Sequence, residues 1–451
     1  MGQSFTSRRP PEAQRCFKSP AVEHLIREIK DFLGHGELAW LFENCFPNTL
    51  DTTVFFDAEG PDTFIITGDI LAMWLRDSCA QIWPYLPLMK EDQGLDRLVQ
   101  GTIRRQVHCI HIDPYANAFY QDARMSPWQS DRTDMKPGVH ERKWELDSLA
   151  SFLRLSYGYW HHTGSTAVFD AAWVKAVRLI CTVAEEQMGA DRGQYYRFQR
   201  VSDIATETLP LSGQGNPGRP CGLVASGFRP SDDACIFPYL IPSNAMMVVN
   251  LRHAAELLQI LGVEDLAETC NRLATTLGAG IHEWAVADAG DGPVFFYEVD
   301  GYGSRVFMDD ANIPSLLSLP YLGYVSRNDP TYLRTRQKLW SRANPYFFQS
   351  EREDRRPEHE GIGSPHTGTG AIWPLSLMMY ALTSERDDEI KKALRILMSS
   401  HAGTGFMHES FACGQPGNFT RSWFGWANSL FGELIVTLYR TQPELLLSFK
   451  A

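Results

Sequence analysis

Apolar residues recur at helical spacing almost from the start of the chain. Between Ser19 and Gly34 they fall at positions 22, 25, 26, 29, 32 and 33, three or four apart, which lines one face of a helix. Ser19 is placed to cap its N-terminus, Pro20 suits a first turn that needs no N–H, and Gly34 can end it. The same spacing predicts helices over 37–46, 70–86, 94–110, 143–162, 167–187, 244–262, 264–285, 311–323, 330–342, 369–384, 386–401 and 422–441. Strand-like runs are few and short, at 52–60, 63–67 and 293–301, and they do not alternate with the helices, so a doubly wound sheet is not expected. No fixed-length repeat marks a solenoid.

About a dozen helices in one chain without an obvious linker predict an all-α fold, one closed toroid in which an inner and an outer ring share a core. The expected organisation is a flexible N-terminal tail over 1–18 and a single domain over 19–451. A length of 451 residues would otherwise suggest two or three domains. The charged loop 351–360 is the best linker candidate, and reads better as a solvated surface loop. Polar clusters sit at the edges of helical segments: TGDILAMWLRDS, KWELDS, SGFRPSDD, FMDDANIPS, GIGSPHTGTGAIWP and HES. One rim of a toroid would gather such loops into a pocket.

Composition narrows the ligand. With 42 Lys and Arg against 54 Asp and Glu, the net charge of −12 disfavours nucleic acid, whose binding draws on cation–phosphate contacts. The 12% of aromatic residues suits a sugar, which stacks its apolar face on flat rings. Nine cysteines are scattered without a C-x-x-C pair and read as small buried hydrophobes of a reducing compartment. No apolar run is long enough to span a membrane, and the first residues lack the apolar stretch of a secretory leader. The chain as it stands therefore reads as cytoplasmic, or as secreted if its natural N-terminus is trimmed. Gly2 fits the loose myristoylation pattern, and Asn418-Phe419-Thr420 is a glycosylation sequon that matters only in a secreted chain.

Adjacent Asp232 and Asp233 follow an Arg-Pro pair, and their plainest reading is a helix start capped by Ser231 or Asp232. The chemical reading joins one of them to Glu409, in the loop MHESF. Two carboxyl groups across a sugar-sized gap are the minimum for glycoside hydrolysis, one protonating the leaving oxygen and the other activating water. No metal site is expected. His108 and His111 with Asp113 lack zinc-helix spacing, and Asp309, Asp310 and Asn312 lack the remainder of a calcium loop. Nucleophile-elbow, Walker and dinucleotide motifs are absent, and no cofactor is expected.

Six segments in order, TGDILAMWLRDS, SGFRPSDDACIFPYLIPSN, YEVDGYGSRVFMDDANIPSLLSLPYLG, GIGSPHTGTGAIWP, MHESF and FTRSWFGWANSLFGEL, resemble glycoside hydrolase family 125, the exo-acting α-1,6-mannosidases. The resemblance runs from about Ser19 to the C-terminus. It implies an (α/α)6 barrel with a few short strands in its rim loops and inverting, metal-independent removal of terminal α-1,6-linked mannose from N-glycan or mannan-type chains. It also implies a general acid at Asp232 or Asp233 and a general base at Glu409. Trp74, Arg76, Asp77, Arg229, Asp310, Asn312, His366, Thr367 and His408 would line the mannose pocket, with Trp373 as a wall. The alternatives are a trehalase-like or glucoamylase-like inverting glycosidase, or a non-catalytic glycan-binding protein on the same scaffold.

Overall fold

The computed structural model describes residues 5–350 and 359–450. The Gly2 pattern and positions 351–358 of the charged loop lie outside the described residues. Among those described, twelve α-helices have eight or more residues. They are α1 (Pro20–Leu33), α2 (Glu37–Cys45), α3 (Leu75–Ile82), α4 (Gln93–Ile112), α5 (Leu146–Thr163) and α6 (Ala171–Met188), then α7 (Ile241–Ile260), α8 (Glu264–Gly280), α9 (Pro330–Leu339), α10 (Pro374–Leu382), α11 (Asp387–Ser400) and α12 (Gly425–Thr441).

Local chemistry explains where they begin and end. In α1 the Ser19 hydroxyl accepts from Val22 N–H at 3.2 Å, Val22, Leu25, Ile26, Ile29 and Leu33 are buried, and Gly34 takes a left-handed φ of 77°. The expected helix over 311–323 is instead a run of turns. Both oxygens of the Asp309 carboxylate accept N–H groups, from Leu316 at 2.8 Å and Leu317 at 3.0 Å, and Ser315 and Ser318 satisfy each other's N–H. Side chains thus take donors a helix would use, and Pro314 and Pro320 offer none. Pro84 and Pro87 likewise tighten the end of the segment predicted over 70–86 into 3₁₀ turns, Trp83–Glu91.

Helix α3 packs on α5, α5 on α7, and α10 on α12, which returns to α3. The helices α4, α8 and α11 lie against α5, α7 and α10. Burial follows this layering: every residue of α10 is buried, and α7 and α12 are buried on most sides, whereas α1, α8 and α11 hide one face. One hydrophobic cluster runs through the chain from Val22 to Leu446. Residues before α1 also touch this body, because Arg9 pairs with Glu23 and Asp51. Cys181 of α6 and Cys270 of α8 place their sulfurs 3.6 Å apart, both as free thiols.

Among the described residues all strand pairing is antiparallel and confined to small sheets. Three of these feed the helices directly. Met73–Trp74, Tyr239–Leu240 and Ala371–Ile372 each belong to a three-stranded sheet; the first two run straight into α3 and α7, and the third reaches α10 through Trp373. The N-termini of α3, α5, α7, α10 and α12 are therefore where sheet, loop and helix meet.

Candidate active site

The segment carrying the paired aspartates is a tight turn, not the helix start read from the sequence. Arg229 C=O accepts from Asp232 N–H at 2.9 Å, with Pro230 at the second position of the turn, where its fixed φ fits. Asp232 takes a left-handed φ of 65°, which aspartate tolerates better than most residues. Phe228 bridges to Ala234 across the turn. Below it, Arg229 forms a buried ion pair with Glu298 at 2.7 Å, and Glu298 accepts N–H groups from Ile236 and Phe237, both at 2.9 Å. Arg229 thus ties the turn to the sheet that precedes α7. Replacing it with Met should cost about 3–5 kcal/mol in chemical denaturation, because Glu298 is left charged and buried. A variant as stable as the parent would remove this anchor role.

The turn opens on a cavity of about 500 Å³, a size typical of small-molecule sites. Among its walls are eight of the residues singled out in the sequence: Trp74, Arg76, Asp77, Asp232, Asn312, His366, Trp373 and Glu409. Half of them stand at starts of the long helices. Trp74 is the N-cap of α3 with Arg76 and Asp77 in its first turn, and Trp373 is the N-cap of α10. Asp233, Arg229, Asp310, Thr367 and His408 are not in the wall. Asp310 accepts from Ser231 at 2.8 Å, Ser364 at 3.1 Å and the Asn312 amide at 3.0 Å, fixing three loops to each other. Thr367 accepts from Trp373 Nε1 at 2.7 Å and so orients that ring. The His408 ring stacks on Phe419 at 3.7 Å, with Nε2 3.1 Å from the Thr404 hydroxyl.

Sequence reading did not single out His140, Lys143, Arg200, Glu207, Trp128, Arg421, Phe424 or Trp426, which also line the cavity. Arg200 is held by Asp131 at 2.7 Å, Glu207 at 2.8 Å and Glu141 at 2.9 Å, and lies 4.0 Å over the Trp128 ring. Lys143, nearly unexposed, reaches Glu207 at 3.1 Å.

The electrostatics are uneven. His366 Nδ1 lies 3.6 Å from Asp233. Burial works against a charged ring there, but Asp233, Glu409 and Asp232 around it outweigh burial and raise its pKa to about 9, so His366 is a cation at neutral pH. Burial lifts Asp77 to about 6, with Arg76 offsetting part of the rise. Burial also pushes Asp232 up, but Arg76, a hydrogen bond from Glu145, Lys143 and His366 together hold it below the usual carboxylate range. Glu409, 6% exposed, lies 3.6 Å from the Arg421 guanidinium. Arg421 in turn donates to Asp69 and to Thr67.

Over residues 35–436 the sequence matches the family described as metal-independent alpha-mannosidase, GH125. The chain belongs to this family of glycoside hydrolases. It is 47% identical over 461 residues to the Meiotically up-regulated gene 157 protein of Schizosaccharomyces pombe, spanning 97% of this chain and 89% of that one. Its structure is similar to that of a Streptococcus pneumoniae metal-independent alpha mannosidase solved in a non-productive complex with alpha-1,6-mannobiose, with a TM-score of 0.90 and 37% identity over 95% of this chain and all of that one. A GH78 rhamnosidase of Bacillus sp. GL1 shares the fold alone, at a TM-score of 0.51 and 12% identity over 94% of this chain and 35% of that one. Among the described residues no three His, Cys, Asp or Glu side chains are grouped to hold a metal, and no helix is long and apolar enough to cross a membrane.

Proposed function

We propose that this GH125 chain is an inverting exo-α-1,6-mannosidase that removes terminal mannose from N-glycan or mannan-type oligosaccharides. The scaffold of this reading is one catalytic domain closed as an (α/α)6 barrel. The return of α12 to α3 supports closure, and the turns over 313–324 stand between α7 and α10 in the chain, where the inner ring would have its fourth member. The observation that carries the function is that Asp232 and Glu409, 177 positions apart in the chain, face one cavity in a family of α-mannosidases. The α-1,6 linkage is drawn from the disaccharide bound by the Streptococcus pneumoniae relative.

Glu409 takes a proton from water as the water oxygen attacks the anomeric carbon. The C1–O bond breaks with its electron pair going to the leaving oxygen, and Asp232 supplies that oxygen with a proton. Asp232 suits the acid role better than Asp233, since Asp232 lines the cavity while Asp233 is 1% exposed and lies beside His366. Trp74, Arg76, Asp77, Asn312, His366 and Trp373 contact the sugar in this reading. Arg229, Asp310, Thr367 and His408 set the positions of the loops around it.

Incubation with linkage-defined mannobioses tests the proposal. Release of mannose from the α-1,6 isomer well above the α-1,2 and α-1,3 isomers is the expected result, and no turnover of any of them would end it. Turnover should also survive EDTA. A large loss restored by calcium would promote Asp309, Asp310 and Asn312 to candidate ligands.

A further inference from the structure

Four carboxyl groups crowd one guanidinium beside the cavity. Arg76 lies 2.5 Å from Glu145, 3.1 Å from Asp147, 3.3 Å from Asp232 and 3.6 Å from Asp77. The side chains of Glu145 and Asp147 are wholly unexposed, and that of Asp77 is 6% exposed. One guanidinium offsets four carboxylates out of water only in part, which favours a proton held within the group in the resting enzyme.

The neighbouring cations relieve it only in part: Lys143 and His366 favour ionised Asp232 and Arg421 favours ionised Asp77, but each has carboxylates of its own. Lys143 is engaged by Glu207 at 3.1 Å and Glu141 at 3.6 Å, His366 is balanced by Asp233, and Arg421 serves Asp69 and Glu409. Cys235 and Tyr196, the other ionisable side chains near Glu145, are buried and pushed well up, so both stay neutral. Besides Arg76, Asp147 accepts from the Ser243 hydroxyl at 3.3 Å and from its own backbone N–H.

Within the group, Glu145 and Asp232 act on each other's protonation, Asp232 raising Glu145 and Glu145 lowering Asp232. The same donors bracket both: the Asn117 amide is 3.0 Å from Glu145 and 3.3 Å from Asp232, and the two terminal nitrogens of Arg76 divide between them. Asp232 is 23% exposed, Glu145 not at all. The geometry points to Glu145 as a positioning residue that stores the proton which Asp232 delivers to the leaving oxygen. Consistent with this, burial raises Glu145, Arg76 offsets the rise only in part, and ionised Asp232 adds to it.

The step balances without a co-reactant. The Glu145 O–H bond breaks as an O–H bond forms on Asp232, and Asp232 passes its proton to the glycosidic oxygen, which receives the electron pair of the broken C1–O bond. Glu145 is left ionised on Arg76. Glu409 gains the proton of the attacking water and returns it to solvent, from which the Glu145–Asp232 pair is recharged.

The inference rests on Asp232 as the acid, and that reading is tested separately by Asp232→Asn. For Glu145→Gln, kcat on α-1,6-mannobiose should fall roughly 10- to 100-fold, while 2,4-dinitrophenyl α-mannoside, whose leaving group needs little protonation, should stay within about threefold of the parent. The alkaline limb of kcat/KM should also move to lower pH. The pair loses its proton at the raised pKa of Glu145; Asp232 alone beside Arg76 loses it earlier. Glu145→Asp, which keeps a titratable group, should bring the limb part of the way back. Equal slowing on both substrates, or an unmoved limb, reduces Glu145 to a structural residue. Should Glu145→Gln fail to fold, carboxyl-¹³C aspartate NMR of the parent enzyme, assigned with Asp232→Asn, decides instead. Asp232 should be ionised at pH 7 in the free enzyme, and a protonated Asp232 would overturn the inference.

Discussion

Glu409→Gln is expected to abolish hydrolysis of every α-mannoside tested, by about 10²- to 10⁴-fold in kcat, whatever the leaving group. Deprotonation of the attacking water is needed however good the departing oxygen is, and an amide cannot take that proton. The substitution is nearly isosteric, and the fold should bear it, because among the described residues the ionic contact of Glu409 is with Arg421 at 3.6 Å, and Arg421 keeps Asp69 and Thr67. Unfolding midpoints close to the parent would separate chemistry from stability. Binding of mannose should persist, since the walls formed by Trp74, Asn312, His366 and Trp373 are untouched. Residual activity above about a tenth of the parent on both α-1,6-mannobiose and an aryl α-mannoside would place the base elsewhere.

Helices were legible wherever one apolar face repeats over several turns. The segment Pro20–Leu33 carries its cap, its stop and its buried positions in plain order. Segment 311–323 carries a similar apolar spacing, but there the deciding interactions are long in sequence: Asp309 reaches N–H groups seven and eight residues away. Strands of two or three residues, such as Met73–Trp74, are too short for an alternation to be seen, and this one exists because Ala118–Phe119 comes to lie beside it, itself paired on its other side with Val139–Glu141. The same distinction runs through the site. TGDILAMWLRDS stood out as a polar cluster at a helix edge, but it was the family resemblance that put Trp74, Arg76 and Asp77 in the pocket. KWELDS was marked as such a cluster, and it holds Lys143, Glu145 and Asp147, yet nothing local says that Glu145 turns toward Asp232. Arg200 and Trp128 sit in loops without a pattern, and their place in the wall depends on Asp131, Glu141 and Glu207 assembling around one guanidinium. The turn at Asp232 was misread because Ser-Asp-Asp after proline suits a helix cap as well as a turn, and the choice is made by Arg229 docking on Glu298.

Asp232→Asn should show a selectivity that Asp233→Asn lacks. Without a proton to give, the Asp232 variant should lose about 10²- to 10⁴-fold on α-1,6-mannobiose but remain close to the parent on 2,4-dinitrophenyl α-mannoside, whose phenolate departs unaided. Asp233→Asn removes a carboxylate beside His366, so it should depress both substrates together and lower the pKa of the ring, with loss of the imidazolium moving toward neutral pH. If Asp233→Asn alone showed the leaving-group selectivity, the acid would be Asp233, and a storage role for Glu145 would go with the error. The stereochemistry joins the two carboxyl groups into one mechanism. Direct attack by water with Glu409 as base requires the acid and the base to stand roughly 6.5–9.5 Å apart, leaving a place for water on the face opposite the departing oxygen. The first sugar released must then be β-mannose, visible by proton NMR before mutarotation mixes the anomers. Early α-mannose would mean a glycosyl–enzyme ester and a gap nearer 5–5.5 Å, with Glu409 as nucleophile in place of base. In that case Glu409→Gln would still be inactive. The anomer formed first, rather than the loss of activity, is therefore the measurement that separates an inverting site from a retaining one.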